Sequence, residues 1–259
     1  MSDHRDLLDL AVEAATAAGK LLLEHFERPA TGIDTKSSDT DPVSDADRAA
    51  ERLVIDLITS ARPDDGIVAE EGGAETSSSG LTWVIDPLDG TVNYLYRTTA
   101  WCVSIAVEDS SGTIVGVVHD PSRKETFTAV KGKGAELNGT AIHVSNETSL
   151  SSALIGTGFS YDASARQIQA AQVTRVIPAA RDIRRGGSAA LDLTAVACGR
   201  LDAFFEAPME AWDKAAGHLI AMEAGAETSE LPAPHDGLPP GLIVGPPALH
   251  QQLRDLLLA

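Results

Sequence analysis

Between residues 67 and 130 the chain passes five times through short apolar, β-branched or aromatic stretches: IVAEE (67–71), LTWVID (81–86), WCVSIAVED (101–109), TIVGVVHD (113–120) and ETFTAV (125–130). Gly, Ser, Asp and Pro divide them, the pattern of strands rather than helices. Asp109-Ser-Ser-Gly112 and Pro121-Ser-Arg-Lys124 read as hairpin connections, so the segment predicts an antiparallel sheet. A chain with such a block must cover the sheet, and the remaining sequence supplies the helices.

From about Asp6 to Phe26, apolar residues recur at helical spacing (Leu7, Leu10, Ala11, Ala14, Ala18, Leu21, Leu22), and Pro29 closes the run. Ser44 is placed to cap a second amphipathic helix, with Asp47 three residues on and Leu53, Val54, Leu57 and Ile58 as its apolar face. Pro63-Asp-Asp-Gly66 ends it. After about Asn146 the pattern changes. Short strands at 153–158, 201–206 and 241–245 alternate with helical runs at 163–176, 187–198, 211–225 and 247–258, which predicts an α/β unit. The expected division is an N-terminal α+β half, 1–147, and a C-terminal α/β half, 148–259.

Acidic residues number 38 against 20 Lys and Arg, for a formal charge of −18. That balance argues against a protein built to grip nucleic acid or an anionic membrane. It leaves a small phosphate open, because bound cations reverse the local sign. No signal-like start or membrane-length apolar run is seen, so the expectation is a soluble cytoplasmic protein. Cys102 and Cys198 are isolated and read as reduced structural thiols, and the seven histidines show no zinc spacing. Gly132-Lys-Gly134 reads as a hairpin turn, Trp83 and Trp101 as core aromatics, and the cluster Arg181, Arg184, Arg185 as a solvated or subunit-facing edge, with a place near the substrate mouth or a dimer interface as the alternative.

Most of the acids must be solvated surface, but three groups sit where solvation is difficult. The strand LTWVI runs into Asp86-Pro-Leu-Asp89-Gly90-Thr91, placing two carboxylates three residues apart across a tight turn. Pro87 is expected to end the ladder and a short helix to start near Thr91. Unpaired carboxylates here would repel and be costly to bury, whereas Mg²⁺ favours such hard oxygen ligands. Backbone N–H groups at Gly90 and Thr91 would then face the anion the metal carries. The plainer reading is an Asx-type turn without a ligand. Glu70-Glu71 ends another apolar strand before Gly72-Gly73, and alone it reads as a surface hairpin. Asp213, between Trp212 and a small-residue helix, fits an N-cap, and Ala215, Ala216 and Gly217 imply that this helix packs closely on another backbone. Together the groups supply four carboxylates for two hard cations about 4 Å apart, as in two-metal phosphoryl-transfer sites.

At these residues the chain resembles the inositol monophosphatase family, the lithium-sensitive, Mg²⁺-dependent phosphatases. The Glu-Glu of AEEGG, the DPLDGTVN block and WDKAAG stand in the family's order, supported by Lys36-Ser-Ser with DPVSDAD, GKGAELNG, and RRGGSAALDL with GRLDAFFE. The resemblance implies a layered αβαβα sandwich, commonly a homodimer. It implies that Glu70, Asp86 and the carbonyl of Leu88 hold one Mg²⁺, that Asp86, Asp89 and Asp213 hold a second, and that a third, weaker ion binds near Glu70. Thr91 paired with Asp47 would position and deprotonate the attacking water, and the backbone of Gly90 and Thr91 would bind phosphate. Asp89, Gly187, Ser188, Ala189, Glu206 and Asp213 would meet the substrate, with Lys36 near the metals. Lys214 and Pro208-Met209-Glu210 depart from the family's usual residues, which bears on the choice of alcohol.

The activity implied is hydrolysis of myo-inositol monophosphate by metal-activated water, on a small-molecule ester rather than nucleic acid or membrane. The alternatives are the same chemistry on histidinol phosphate, fructose 1,6-bisphosphate or phosphoadenosine phosphate, or a metal-responsive binding protein with vestigial catalysis.

Overall fold

The computed structural model describes residues 4–28, 31–35 and 42–259. The N-terminal elements are α1 (His4–Phe26), β1 (Asp34–Thr35), β2 (Pro42–Val43), α2 (Asp45–Ala61), β3 (Gly66–Ala69), β4 (Gly73–Glu75), β5 (Thr82–Asp89) and α3 (Thr91–Leu95). A meander follows: β6 (Cys102–Asp109), β7 (Gly112–Asp120), β8 (Glu125–Val130), β9 (Ala135–Leu137) and β10 (Thr140–Ala141). The remainder comprises β11 (Leu154–Thr157), α4 (Ala163–Val176), β12 (Asp182–Arg184), α5 (Ala189–Ala197), β13 (Ala203–Glu206), α6 (Ala211–Glu223), β14 (Glu227–Leu231), β15 (Gly241–Gly245) and α7 (Pro247–Leu258).

Strands β3 to β10 form an eight-stranded sheet in the order β10-β9-β8-β7-β6-β5-β3-β4, antiparallel except for the β3–β5 pair. Strands β11 to β15 form a mixed sheet ordered β12-β11-β13-β15-β14. Helices α1 and α2 cover one face of the large sheet. Helices α5 and α6 lie between the two sheets, and α4 and α7 close the far side. The result is the five-layer αβαβα sandwich.

Two covered faces explain why the central strands are apolar at nearly every position. Trp83, Ile85, Val103, Ile105, Val115 and Val117 point into the core under α1 and α2. Their neighbours Val84, Cys102, Ala106 and Val118 point the other way, against α5 and α6. That second face is small for a reason. A Cβ on Gly116 would lie 2.8 Å from the Ala216 carbonyl oxygen, so α6 rests on the β7 backbone itself. Gly217 makes the corresponding close approach to Leu193 and Ala190 of α5, so the small residues at the start of α6 pack as their composition predicts.

One local expectation is corrected, two edge strands are added and one turn is as expected. Pro87 does not end β5: the ladder breaks after the Asp86–Ser104 pair and resumes at Asp89–Cys102. A bulge lets the residue that lacks an N–H leave the pairing without ending the strand. Strands β12 and β14 were not foreseen. They are the two edges of the small sheet, where a half-exposed strand such as ETSEL needs few apolar side chains. Gly132-Lys-Gly134 is a hairpin turn as expected, and the backbone N–H groups of Gly132 and Gly134 donate to the Glu223 carboxylate on α6 (2.7 and 2.8 Å).

Candidate active site

Strands β3 and β5 run parallel with Ala69 opposite Ile85, so Glu70 and Asp86 emerge together at one end of the sheet. Glu70 N–H donates to the Ile85 carbonyl (3.2 Å), which fixes that junction. Glu70-Glu71 thus belongs to the β3–β4 hairpin, and Glu70 also lines the cavity beyond it. After the bulge the chain turns at Gly90, whose φ of 93° suits glycine and whose Cβ would lie 2.8 Å from the Ala100 carbonyl oxygen. Thr91 then opens α3.

Three longer helices bring their first turns to the same place. Asp47, third residue of α2, closes a capping box: its Oδ2 accepts from the Ser44 N–H (3.0 Å) and from the Ser44 hydroxyl. Its Oδ1 accepts from the Thr91 hydroxyl (3.1 Å), which the Leu88 carbonyl can also receive (3.1 Å). Asp213 is not the N-cap of α6 but its third residue. The cap is Glu210, and Asp213 Oδ2 accepts from the Glu210 N–H (2.7 Å), so the helix starts two residues before Asp213. Ser188 caps α5, and its hydroxyl donates to Asp89 Oδ2 (2.6 Å), which also accepts from the Ala190 N–H (2.8 Å).

These residues surround a cavity of about 450 Å³ lined by Glu70, Asp86, Leu88, Asp89, Gly90 and Thr91 on one side. Gly187, Ser188, Ala189, Glu206 and Asp213 complete it from the C-terminal half. Asp47 stands behind Thr91, and Lys36 lies outside the described residues. Sequence reasoning missed Phe159, Tyr161, Asp162, Trp212 and Leu238, rim residues on segments that only tertiary packing brings here. Arg185, read mainly as part of a solvated edge, is exposed and also lines this cavity, which is the substrate-side alternative for the cluster. Its position next to the GGSA segment was the available signal.

The electrostatics are those of crowded carboxylates. Asp86 is 2% exposed. Burial pushes its carboxyl well above the ordinary range, and repulsion from Glu70, Asp89 and Asp213 adds to this. Asp213 is raised well above its usual value by burial and then by Asp89 and Glu70. Glu206 is raised likewise, by burial and then by Asp213, Asp192 and Asp89. Burial raises Asp89 too, less far, because the Ser188, Ala190 and Ala189 donors favour its charged form. Glu70 stands next to Asp86 in this crowd and adds to the upward push on its carboxyl.

Such a donor set fits hard divalent cations. Among the described residues no three His, Cys, Asp or Glu side chains gather tightly enough for one ion. Mg²⁺ does not require that, since it is usually held by one or two carboxylates and keeps several waters. The mutual repulsion of Glu70, Asp86, Asp89 and Asp213 marks where positive charge is wanted.

The profile of the inositol monophosphatase family matches residues 3–258. The chain belongs to this family. It is 41% identical over 240 residues to the Nus factor SuhB of Pasteurella multocida, covering 92% of this chain and 90% of that one. The crystal structure of the extragenic suppressor protein suhB of Bartonella henselae superposes with a TM-score of 0.90 at 32% identity, covering 97% and 98% of the two chains. The IMPase of Thermotoga maritima superposes with a TM-score of 0.87 at 31% identity, covering 97% and 96%. Membership accounts for the five layers, and the family is one of metal-dependent phosphatases. No helix among the described residues is long and apolar enough to cross a membrane.

Proposed function

We propose that this protein is a Mg²⁺-dependent phosphatase that hydrolyses myo-inositol monophosphate to inositol and phosphate. The observation that carries the reading is the Thr91–Asp47 hydrogen bond set beside one cavity that Glu70, Asp86, Asp89 and Asp213 all line. Glu70, Asp86 and the Leu88 carbonyl would hold one Mg²⁺, and Asp86, Asp89 and Asp213 a second, for which these three carboxylates would have to draw closer together. When bound, these ions supply Lewis-acid stabilisation of charge on the attacking and leaving oxygens.

The chain's own groups do the rest. Thr91 Oγ1 can accept a proton from an attacking water while passing its own to Asp47 Oδ1. One such base contributes only about 10²–10⁴-fold, whereas phosphate monoester hydrolysis is accelerated by up to ~10²¹-fold. Thr91 and Asp47 therefore orient and deprotonate, and charge stabilisation must account for most of the rate. Glu206, Ser188 and Ala189 offer hydrogen-bonding groups to the hydroxyls of a polyol. A cytoplasmic homodimer sensitive to lithium completes this reading.

The test is phosphate release from myo-inositol 1-phosphate, histidinol phosphate, fructose 1,6-bisphosphate and phosphoadenosine phosphate, with Mg²⁺, with EDTA and with an Asp86→Asn variant. Mg²⁺-dependent turnover strongest on the inositol ester is expected. Preference for another ester keeps the chemistry and changes the alcohol.

The Nus factor name borne by the curated relatives favours a second reading, an assembly role for this chain. Its charge of −18 makes a protein a better direct partner than nucleic acid. Absence of turnover on all four esters, despite Mg²⁺ binding, would favour it.

A further inference from the structure

Behind the catalytic cavity lies a second one of about 290 Å³, and Ser188 lines both. Its floor is apolar, formed by Leu154, Leu191, Ala195 and Leu201. Three arginines, Arg123, Arg184 and Arg200, and one acid, Asp192, also line the void, with the Arg200 guanidinium lying over the Phe127 ring. They come from three separate segments: the β7–β8 loop, the end of β12 and the loop after α5. The chain carries 20 basic residues against 38 acidic ones, so this convergence runs against its overall charge.

The carboxylates that pair with these arginines do not line the void, and they leave donors over. Arg200 uses one N–H each of Nη1 and Nη2 on Glu125 (both 2.6 Å). Arg184 uses Nη1 alone, for Asp182 and the Ile183 carbonyl. Arg123 Nε stands 3.8 Å from Asp120 Oδ2, beyond hydrogen-bonding distance, and that oxygen is buried with no hydrogen-bond partner. The side chains remain reachable, with Arg123 and Arg184 each 55% exposed and Arg200 42%. Forked N–H donors from several directions over an apolar floor suit a tetrahedral oxyanion, which accepts from all sides.

We propose that this arginine cleft is a binding site for a phosphate-class oxyanion, distinct from the catalytic cavity and separated from it by the 185–188 segment. The anion could be free phosphate or the phosphate of a small monoester, since both present the same oxygens.

The experiment uses metal-free protein in EDTA, where the acidic catalytic cavity repels phosphate and hydrolysis plays no part, so its outcome is independent of the proposed activity. Thermal melting and titration calorimetry are run with inorganic phosphate and with glycerol 2-phosphate, at ionic strength matched by NaCl. The wild type is compared with Arg123→Gln/Arg184→Gln and with Arg184→Lys. The expected result is a rise of a few degrees in melting temperature with phosphate. Binding should weaken about tenfold or more in the double variant and less in Arg184→Lys. A stronger response to the ester than to phosphate assigns the site to a phosphorylated metabolite, and the reverse assigns it to the free ion. The proposal is overturned by a response no greater than that to NaCl, or by an undiminished response in the double variant. It is also overturned if the double variant changes sedimentation rate without altering phosphate binding, which would give the cleft to a second copy of the chain. The ligand-free melting curve of each variant confirms that it is folded.

Discussion

Asp65 offers a sharp test of how the sheet is held together, because one carboxylate satisfies four donors. It is 4% exposed and stands just before β3. Arg62 approaches through Nε (2.7 Å) and Nη2 (3.1 Å), the Ser79 hydroxyl donates at 2.6 Å, and the Trp83 indole N–H on β5 donates at 2.9 Å. In Asp65→Ala the indole N–H of a fully buried tryptophan loses its acceptor, which costs about 1–3 kcal/mol. Arg62 loses its partner as well, but its side chain is 27% exposed and can turn to water, so its share is small. The sum is about 3 kcal/mol, a fall in melting temperature of roughly 6–12 °C for a chain of this size. Asp65→Asn, which keeps an acceptor, should fall by less than half of this.

The pH dependence of that loss has a definite sign. Burial alone would raise the Asp65 carboxyl, but the Arg62, Ser79 and Trp83 bonds outweigh it and hold it below its usual range. A depressed folded-state pKa means the stabilisation is complete above the unfolded value of about 4 and is lost as pH falls through the folded one. The gap between wild type and Asp65→Ala should therefore be constant from neutral pH down to about 5 and close below about 4. Asp65 lies five residues from Glu70 along an extended strand, about 16 Å away, so kcat and KM should not move. Scanning calorimetry across pH, with phosphate release as control, decides the matter. A gap that is unchanged at low pH, or a loss under about 1 kcal/mol, would refute the assignment.

Four further outcomes follow. Asp86→Asn should lower phosphate release at least about 100-fold, yet the metal-free variant should melt above metal-free wild type, because an amide keeps the Leu88 N–H bond (3.0 Å) and removes a repelled charge. Adding Mg²⁺ should raise the wild-type melting temperature, with about 2.7 kcal/mol gained at 100-fold excess over Kd, and should barely move Asp86→Asn; equal shifts in both would count against the metal assignment. Thr91→Val should lower kcat about 10²–10⁴-fold while keeping the Mg²⁺ shift, as measured by the two assays in parallel. Gly116→Val should cost about 1–3 kcal/mol by overpacking and also weaken Mg²⁺ binding, since α6 must move and carries Asp213; a purely thermal defect would show that the helix yields elsewhere.

Much of the fold was legible because the large sheet is covered twice. That demand wrote Trp83-Val-Ile85 and Cys102-Val-Ser-Ile-Ala-Val107 as continuous apolar runs, which no loop would carry. Strands β12 and β14 escaped notice because an edge strand requires neither face to be apolar. Pro87 misled because a proline marks a missing donor, and only the partner strand shows that the ladder absorbs it as a bulge. The carboxylates were visible because they follow apolar strands or precede small-residue helices. The rim was not: Phe159, Tyr161 and Asp162 sit in a loop whose sequence resembles any other, and Arg185 resembled its surface-facing neighbours. Asp213 was placed at the right spot for a slightly wrong reason, since a third-position acid and an N-cap acid look alike until the helix start is known.

That near-equivalence bears on how the site is built. Three carboxylates here are oriented through bonds that helices and turns make in any protein. Asp213 Oδ2 caps the Glu210 N–H, Asp89 Oδ2 takes the Ala190 N–H, and Asp86 Oδ1 takes the Leu88 N–H. Asp47 follows the same rule, with Oδ2 on the Ser44 N–H and Oδ1 on Thr91. Committing one oxygen to the backbone restricts how each carboxylate can turn and lowers the ordering cost of any contact made by its other oxygen. The repulsion that remains, strongest at Asp86, is tolerated because removing any one acid would release a backbone donor as well as a charge. The plain capping readings of these residues and their functional ones are therefore not rivals. The same hydrogen bonds that start the helices and shape the turn after Asp86 hold these acids in register.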